Sequence, residues 1–297
     1  MTPKRVAITG ASGLIGSELS AHLSARGDDV VHLVRREPRT GAEIRWDPRE
    51  RTLDPAALEH VDAVVHLAGA NVGAKRWTPA YKREILTSRV DGTATVAQAI
   101  VATGKPIRLV SGSAIGVYGD RGEELLTEDS HPGDGFLTEV VRAWEGAARA
   151  AADAGAPVAL ARTGLVMAKG GGAFAPLLTL GRLGLAGPLG SGRQFWSWIS
   201  LRDTVRAFAH LVDRPELTGP VNLVGPDPVR QREVVAELGR QLGRPTLLPA
   251  PAFAMRLLVG ELAGDILSSQ RVVAGALRDS GFAYDHATLA AAVRSIL

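Results

Sequence analysis

The chain has 297 residues, of which 45% are hydrophobic and 22% are charged, and this balance predicts a folded protein rather than a disordered one. It contains no cysteine, which excludes disulfides, thiolate metal sites and a cysteine nucleophile, and which is consistent with a cytoplasmic location. The net charge of +3 is scattered, and no apolar stretch reaches the roughly 20 residues of a membrane span, so we expect neither a nucleic-acid nor a membrane partner.

Short apolar strands alternate with longer helical patterns over the first two-thirds of the chain. This alternation predicts an α/β fold, a Rossmann doubly wound parallel sheet with helices on both faces. The strands are predicted at residues 5–9, 29–34, 63–67, 107–111 and 158–162. Ile15, Leu19 and Leu23 recur at helical spacing after the first strand, and further helices are predicted over residues 80–103, 134–153 and 230–242.

The last third of the chain has a different pattern. Glycines and prolines over residues 168–192 predict an irregular excursion, placed at 168–195, toward the substrate side. Asp203 is predicted to cap a helix that runs toward Leu211. The run Gly225-Pro226-Asp227-Pro228 then predicts a boundary between a Rossmann domain, residues 1–224, and a smaller, mostly helical C-terminal region, residues 225–297.

The first strand leads into a glycine-rich loop that opens a helix. Glycines at this place serve a tight turn, a close approach of backbone to a pyrophosphate, and close helix packing. The spacing is GxxGxxG, and its context predicts a dinucleotide site. The predicted contacts in this loop are Thr9, Gly10, Ser12, Gly13, Leu14, Ile15 and Gly16.

Two arginines follow the second strand. An NAD-specific site has an acid about 20 residues after the loop, where it binds the ribose 2′-hydroxyl. This chain has Arg35 and Arg36 there in place of that acid. Guanidinium groups pair well with a phosphate, so the sequence predicts NADP(H) rather than NAD(H).

Several further stretches, in this order along the chain, carry a family resemblance. They are His66-Leu67-Ala68-Gly69-Ala70-Asn71, residues 75–89, the run Ser-Gly-Ser-Ala-Ile-Gly-Val-Tyr-Gly from Ser111 to Gly119, Arg162-Thr163-Gly164-Leu165-Val166, and residues 190–194 and 222–228. With these, the chain resembles the extended short-chain dehydrogenase/reductase superfamily, in its atypical "epimerase family protein" branch. Members of that branch carry names such as nucleoside-diphosphate-sugar epimerase or cell-division-inhibitor-like protein.

The resemblance implies more of the site than the residues alone do. It implies cofactor contacts beyond the loop and the arginine pair, at Leu67, Ala68, Gly69, Glu84, Arg89 and Val166. The tail from Pro251 to Phe282 resembles the small C-terminal domain of the branch. A homodimer through the helices predicted at 80–103 and 134–153 is an expectation by analogy with the superfamily.

Enzymes of the extended group use a serine, a tyrosine and a lysine. Ser113 matches the serine position, but Phe136 and Val140 stand where the tyrosine and lysine are expected, and neither can move a proton. Ser113 is therefore a candidate catalytic residue, and Tyr118 a candidate proton donor, although a purely structural tyrosine is the simpler interpretation. Glu139 or Glu145, on the same predicted helix, are further candidates.

Two functional hypotheses stay open. The first is an NADP(H)-dependent oxidoreductase or epimerase-like enzyme acting on a small polar substrate, such as a nucleotide sugar. The second is a non-catalytic NADP(H)-binding protein that senses redox state or docks a partner. The seven histidines form no HExxH motif, so no metal site is predicted.

Overall fold

The computed structural model describes residues 2–172 and 174–297. Within these residues the strands are β1 Arg5–Thr9, β2 Asp29–Val34, β3 Glu43–Asp47, β4 Thr52–Leu53, β5 Ala63–His66, β6 Arg108–Ala114, β7 Leu125–Leu126, β8 Val158–Thr163, β9 Leu165–Met167, β10 Phe195–Trp196, β11 Trp198–Ser200, β12 Gly219–Leu223, β13 Val229–Arg230 and β14 Arg271–Val272. The helices are α1 Leu14–Ala25, α2 Pro79–Ala102, α3 Phe136–Ala147, α4 Arg149–Asp153, α5 Phe174–Arg182, α6 Leu201–Asp213, α7 Gln231–Leu242, α8 Ala252–Val259, α9 Leu262–Leu267, α10 Gly275–Asp279 and α11 Leu289–Arg294.

The central sheet has the order β12-β8-β6-β5-β1-β2-β3-β4, and all neighbours except β3 and β4 pair in parallel. The chain winds outward from β1 in both directions, first through β2 and β3 and then through β5, β6, β8 and β12. This is the strand order of a Rossmann fold, and the predicted fold class is confirmed.

Helices cover both faces of the sheet and so enclose two apolar layers. One layer packs β1, β5, β6 and β8 against α1 and α6, with Ile8, Leu19 and Phe208 fully buried. The other packs the opposite face against α2 and α4, with Val64 and Ile100 buried. Strands buried on both sides explain why each reads as a continuous apolar run.

The structure corrects four details of the sequence prediction. The structure contains two central-sheet strands that were not predicted, β3 and β12. Strand β3 has only two apolar residues. Strand β12 contains Pro220, which is tolerated because β12 is an edge strand. The predicted irregular excursion contains α5, whose buried Phe174, Leu177 and Leu178 have helical spacing. The predicted helix at 134–153 is divided at Ala148 into α3 and α4.

The fourth correction concerns the start of α6. Ser200, not Asp203, is the N-cap, because the Ser200 hydroxyl accepts a hydrogen bond from the Asp203 amide at 3.0 Å. Asp203 is fully buried, and its carboxylate accepts hydrogen bonds from the amides of Asp285 and His286 at 2.8 and 2.9 Å. It therefore ties the C-terminal segment to α6. No helix among the described residues is long and apolar enough to cross a membrane.

Candidate functional site

The candidate site lies at the carboxyl ends of the parallel strands, beside β1. From β1 the chain turns to β2 on one side, whereas β5 lies on the other, so the loops after β1 and β5 diverge. A crevice at such a switch point is where doubly wound sheets bind their ligands. The sequence predicted most of its cofactor contacts in the segments that follow β1, β2 and β5, and the structure brings those segments to this edge.

The glycine loop comes within van der Waals distance of the segment after β5. A Cβ added to Gly10, whose φ is +68°, would lie 2.9 Å from the Ala68 amide nitrogen. A Cβ added to Gly16 would lie 2.2 Å from the Gly10 carbonyl oxygen. The first amides of α1, from Leu14 onward, lack carbonyl partners within the helix, and its first turn has no acidic side chain. The loop is therefore a concave cradle suited to an anion.

Thr9 has a supporting position rather than an exposed one. Its buried hydroxyl accepts hydrogen bonds from the amides of Leu67 and Ala68 at 3.0 and 3.1 Å, and contacts His66 Nδ1 at 2.9 Å. Burial, together with the nearby charge of Arg89, lowers the pKa of His66 to about 3. Neutral His66 and Thr9 thus hold the loops after β1 and β5 against each other. Elsewhere in the glycine loop, Ser12 and Gly13 are exposed to solvent, and half-buried Leu14 and Ile15 begin α1.

The structure brings a carboxylate to the arginine pair that sequence reasoning missed. Glu43, on β3, accepts a hydrogen bond from Arg36 Nη1 at 2.8 Å, and this hydrogen bond lowers the pKa of Glu43 to about 2. Arg35 is exposed and makes no ion pair or side-chain hydrogen bond within residues 2–172 and 174–297. Arg35 is therefore the more available cation for a phosphate.

This difference predicts unequal roles for the two arginines. Arg35→Ala should weaken NADPH binding by about tenfold, the loss of one charge-assisted contact, and should leave NADH binding unchanged. Arg36→Ala should cost less, because Glu43 already neutralises that side chain. Fluorescence titration with both nucleotides measures this, with exposed Arg49→Ala as the control. Equal losses for NADH and NADPH would contradict the assignment.

Arg89 is not a surface residue of α2, although its position on a helix allowed that interpretation. Its Nη1 donates to the carbonyl oxygens of Ala70 and Ile85, each at 3.0 Å, and its guanidinium lies 5.1 Å from the Trp144 ring centroid. A Cβ on Gly69 would lie 3.3 Å from Arg89 Cγ, and burial lowers the pKa of Arg89 to about 10. Arg89 thus lines the segment after β5.

Two other predicted contacts differ in their placement. Val166 is half-buried on β9. A Cβ added to Gly172 would lie 3.8 Å from the Val166 carbonyl oxygen and 3.4 Å from the Leu14 side chain. Val166 therefore reaches the glycine loop through this turn. Glu84 is exposed on α2, and its carboxylate has no hydrogen-bond partner among the described residues.

The candidate serine belongs to a buried polar row. Ser113, Arg162 and Asn222 are in register on the adjacent strands β6, β8 and β12, so their side chains share one face of the sheet. Ser113 is 4% exposed and donates to Glu145 Oε1 at 2.6 Å. Arg162 binds both oxygens of Glu145 at 2.9 Å. The sequence analysis did not predict the ion pair of Arg162 with Glu145. An arginine inside an otherwise apolar strand could have indicated a buried carboxylate partner.

The same row includes Tyr118, the candidate proton donor, and favours the structural interpretation of this tyrosine. Tyr118 is fully buried, donates to Asn222 Oδ1 at 2.8 Å and accepts from Arg162 Nη1 at 3.0 Å. Burial raises the pKa of Tyr118 above its usual value. A phenol that is enclosed and doubly hydrogen-bonded has a structural role. Although burial alone would lower the pKa of Arg162, its carboxylate partner raises it, so the guanidinium stays charged.

Phe136 occupies a different environment from Ser113. It begins α3, nine residues before Glu145, a separation of about 13 Å along a helix. The ring centroids of Phe136 and Trp77 are 5.0 Å apart, and the Lys82 ammonium lies 4.9 Å from the centroid of the Phe136 ring. Lys82 also pairs with Glu261, which precedes α9. The Ser113 hydroxyl therefore contacts α3 at Glu145, nine residues beyond the expected tyrosine position. Glu139 is exposed on α3.

Asp265, on α9, carries a titratable charge close to Lys82. Burial raises the pKa of Asp265 from 3.8 to about 6, against the opposing charge of Lys82. A raised pKa in the folded state means that the carboxyl stabilises the fold below about pH 4 and loses this contribution as the pH rises through 6.

Asp265→Asn is therefore expected to raise the free energy of unfolding above pH 6 by on the order of 2 kcal/mol, with no difference from wild type below pH 4. Urea unfolding across this pH range measures it. Asp279→Asn, at an exposed carboxylate, is the matched control and should change little. A stability gain that does not depend on pH would refute this interpretation.

A separate groove lies away from this edge of the sheet. It has a volume of about 880 Å³ and opens between α3, α4 and the first residues of β8 and β12, Val158 and Gly219. These are the amino ends of the strands, opposite the glycine loop. The groove is therefore separate from the candidate cofactor site.

Comparison with known proteins agrees with this geometry. The family model described as the NAD dependent epimerase/dehydratase family matches residues 6–224. This range includes the glycine loop and all strands of the central sheet, apart from Arg5 at the start of β1. The chain belongs to this family. A second model, for a domain of unknown function, matches residues 250–296 of this epimerase/dehydratase family member.

Individual relatives extend over nearly the whole chain. The Epimerase family protein Mb2239 of Mycobacterium bovis is 42% identical, covering 97% of this chain and 96% of the relative. The crystal structure of human epimerase family protein SDR39U1 with NADPH is 31% identical, with a TM-score of 0.88 and 98% of each chain covered. MoeE5 in complex with UDP-glucose and NAD is 26% identical, with a TM-score of 0.76, covering 98% of this chain and 97% of MoeE5. The predicted family resemblance is confirmed.

Proposed function

We propose that the protein is an NADP(H)-dependent oxidoreductase or epimerase-like enzyme that acts on a small polar substrate. The observation that supports this best is the cradle of Gly10, Gly13 and Gly16 beside the exposed guanidinium of Arg35. The human relative, which was crystallised with NADPH, has the same fold over 98% of its length. When bound, NADP(H) supplies a hydride donor or acceptor.

The chain's own residues fit this cofactor. The α1 amides after Gly13 would hold the diphosphate. Gly10 and Gly16 support this arrangement, because a Cβ at either position would collide with backbone atoms and displace the loop. Arg35 would pair with the 2′-phosphate. The remaining predicted contacts would line the nucleotide, and among them Thr9 and Arg89 position the loops rather than offer exposed groups.

We place the substrate between the carboxyl edge of the sheet and residues 225–297, with the domain boundary at 224/225. MoeE5 was crystallised with UDP-glucose, which favours a nucleotide sugar as the substrate class. Phe136 and Val140 cannot transfer a proton, so the proton that accompanies hydride transfer must come from another group. A cytoplasmic location and a homodimer remain predictions from the sequence.

The experiment that tests this proposal uses the purified protein and NADPH. Any nucleotide that co-purifies is identified by mass spectrometry, and NADPH absorbance is followed against carbonyl compounds and nucleotide sugars. Turnover that disappears in Gly16→Ala, which displaces the glycine loop, would support an enzyme. Consumption of NADPH that is unchanged in Gly16→Ala would refute the assignment of the site.

A second candidate is a non-catalytic NADP(H)-binding protein. It is favoured by one specific observation: the hydroxyls of Ser113 and Tyr118 are both used in the buried row with Arg162. Tight NADPH binding without turnover on any substrate class would favour this candidate over the enzyme. A sensor should then also discriminate NADPH from NADP⁺ in affinity, since that is the signal it would report.

A further inference from the structure

A continuous set of large apolar side chains is exposed near the C-terminal region. Eight of the ten exposed large hydrophobic residues fall within two short stretches, residues 180–185 and 247–258. We call these eight residues the leucine surface: Leu180, Leu183, Leu185, Leu247, Leu248, Phe253, Leu257 and Leu258. Leu247 is 80% exposed and Leu257 is 76% exposed. Helix α8 has no buried residue at all. Single exposed leucines are ordinary, whereas a cluster of this size marks an interaction site.

The two stretches lie side by side in the fold. A Cβ on Gly187 would overlap the Leu248 carbonyl oxygen at 1.9 Å, and one on Gly184 would lie 3.9 Å from Pro245. The Ala250 amide donates to the Pro188 carbonyl oxygen at 2.9 Å, immediately before α8. The end of α5 and the segment that leads into α8 therefore form one face.

The charged residues within the two spans of sequence that contain the leucine surface are all basic. No acidic residue occurs between Asp153 and Asp203, or between Glu237 and Glu261, and the charged residues of these spans are arginines and one lysine. Among them Arg182, Arg244 and Arg256 are exposed and lie in or next to the two stretches of the leucine surface, and they have no ion pair in the described part of the chain. The acids at the limits of the second span are already paired, Glu237 with Arg240 and Glu261 with Lys82.

This charge pattern decides between possible occupants. In a two-fold symmetric dimer the same face meets itself, so the arginines of both copies, Arg182, Arg244 and Arg256, would be brought together in one interface and would repel. An occupant that is apolar and negatively charged would instead satisfy both features. Leucine and phenylalanine flanked by arginine is the composition that binds at the interface of an anionic bilayer, where apolar side chains enter the acyl region and guanidiniums contact the head groups.

We propose that the leucine surface docks the protein reversibly on a membrane containing anionic phospholipid. This revises the expectation, drawn from composition alone, that the protein has no membrane partner. It requires no membrane span, because every residue of the surface is already exposed.

Sedimentation with phospholipid vesicles tests the proposal. The full chain should co-sediment with vesicles of phosphatidylcholine and phosphatidylglycerol, and binding should weaken at high salt and on neutral vesicles. The double variant Phe253→Ser/Leu257→Ser and the triple variant Arg182→Glu/Arg244→Glu/Arg256→Glu should each bind at least about tenfold more weakly. All five side chains are exposed, so the fold should persist, which circular dichroism checks.

Matched controls lie on other surfaces. Leu125→Ser removes an exposed leucine away from the surface, and Arg142→Glu/Arg149→Glu reverses exposed charges on α3 and α4, so both should bind like wild type. The proposal is overturned if wild type binds neither vesicle type. It is also overturned if light scattering shows a dimer that Phe253→Ser/Leu257→Ser dissociates, since the face would then be a self-interface.

Discussion

Gly16→Ala is expected to weaken NADPH binding by about a hundredfold while the protein stays folded. The added methyl carbon would lie 2.2 Å from the Gly10 carbonyl oxygen, a backbone atom that can move only if the loop moves. Moving the loop misplaces the α1 amides, and the loss of two charge-assisted hydrogen bonds of about 1.5 kcal/mol each corresponds to this factor. Isothermal titration calorimetry measures the dissociation constant.

The control for this substitution is another helical glycine. A Cβ on Gly146, in α3, would meet no heavy atom within 4 Å, so Gly146→Ala should bind NADPH like wild type. Wild-type affinity in Gly16→Ala would mean that the loop does not hold the diphosphate.

Glu145→Ala is expected to reduce the free energy of unfolding by about 3–5 kcal/mol, the cost of leaving a buried charge without its partner. Glu145 and Arg162 have side chains only 12% and 7% exposed, and two hydrogen bonds of 2.9 Å join them. The substitution also removes the acceptor of the Ser113 hydroxyl. Urea denaturation measures the change.

An exposed ion pair provides the comparison for Glu145. Glu216 has a side chain 61% exposed and lies 3.4 Å from Arg214, so Glu216→Ala should change stability by less than about 1 kcal/mol. If Glu145→Ala were as mild as Glu216→Ala, the buried row would not have the structural role assigned to it.

The sequence predicted the centre of the sheet well because those strands are buried on both faces. The runs that became β1 and β2 have no other sensible interpretation, and the glycine loop between β1 and α1 follows from its spacing. Strand β3 escaped prediction because Trp46 is its only fully buried residue. Helix α5 escaped because Pro176, tolerated in a first turn, suggested a loop.

The arrangement of the site needed the structure for a different reason. Glu43 reaches Arg36 only because β3 pairs with β2, and Glu145 reaches Ser113 and Arg162 only because α3 packs over β6 and β8. Strand register and helix position are long-range properties, which local sequence patterns do not contain. For the same reason, the sequence could identify Ser113 and Tyr118 as chemically suitable but could not show that both are enclosed.

The most direct test is a crystal structure of the protein grown with NADPH. We predict diphosphate density against the amides that follow Gly13 and a 2′-phosphate within hydrogen-bond distance of Arg35. A structure with NADPH bound away from the carboxyl edge of the sheet, or with the glycine loop closed by its own side chains, would contradict the account.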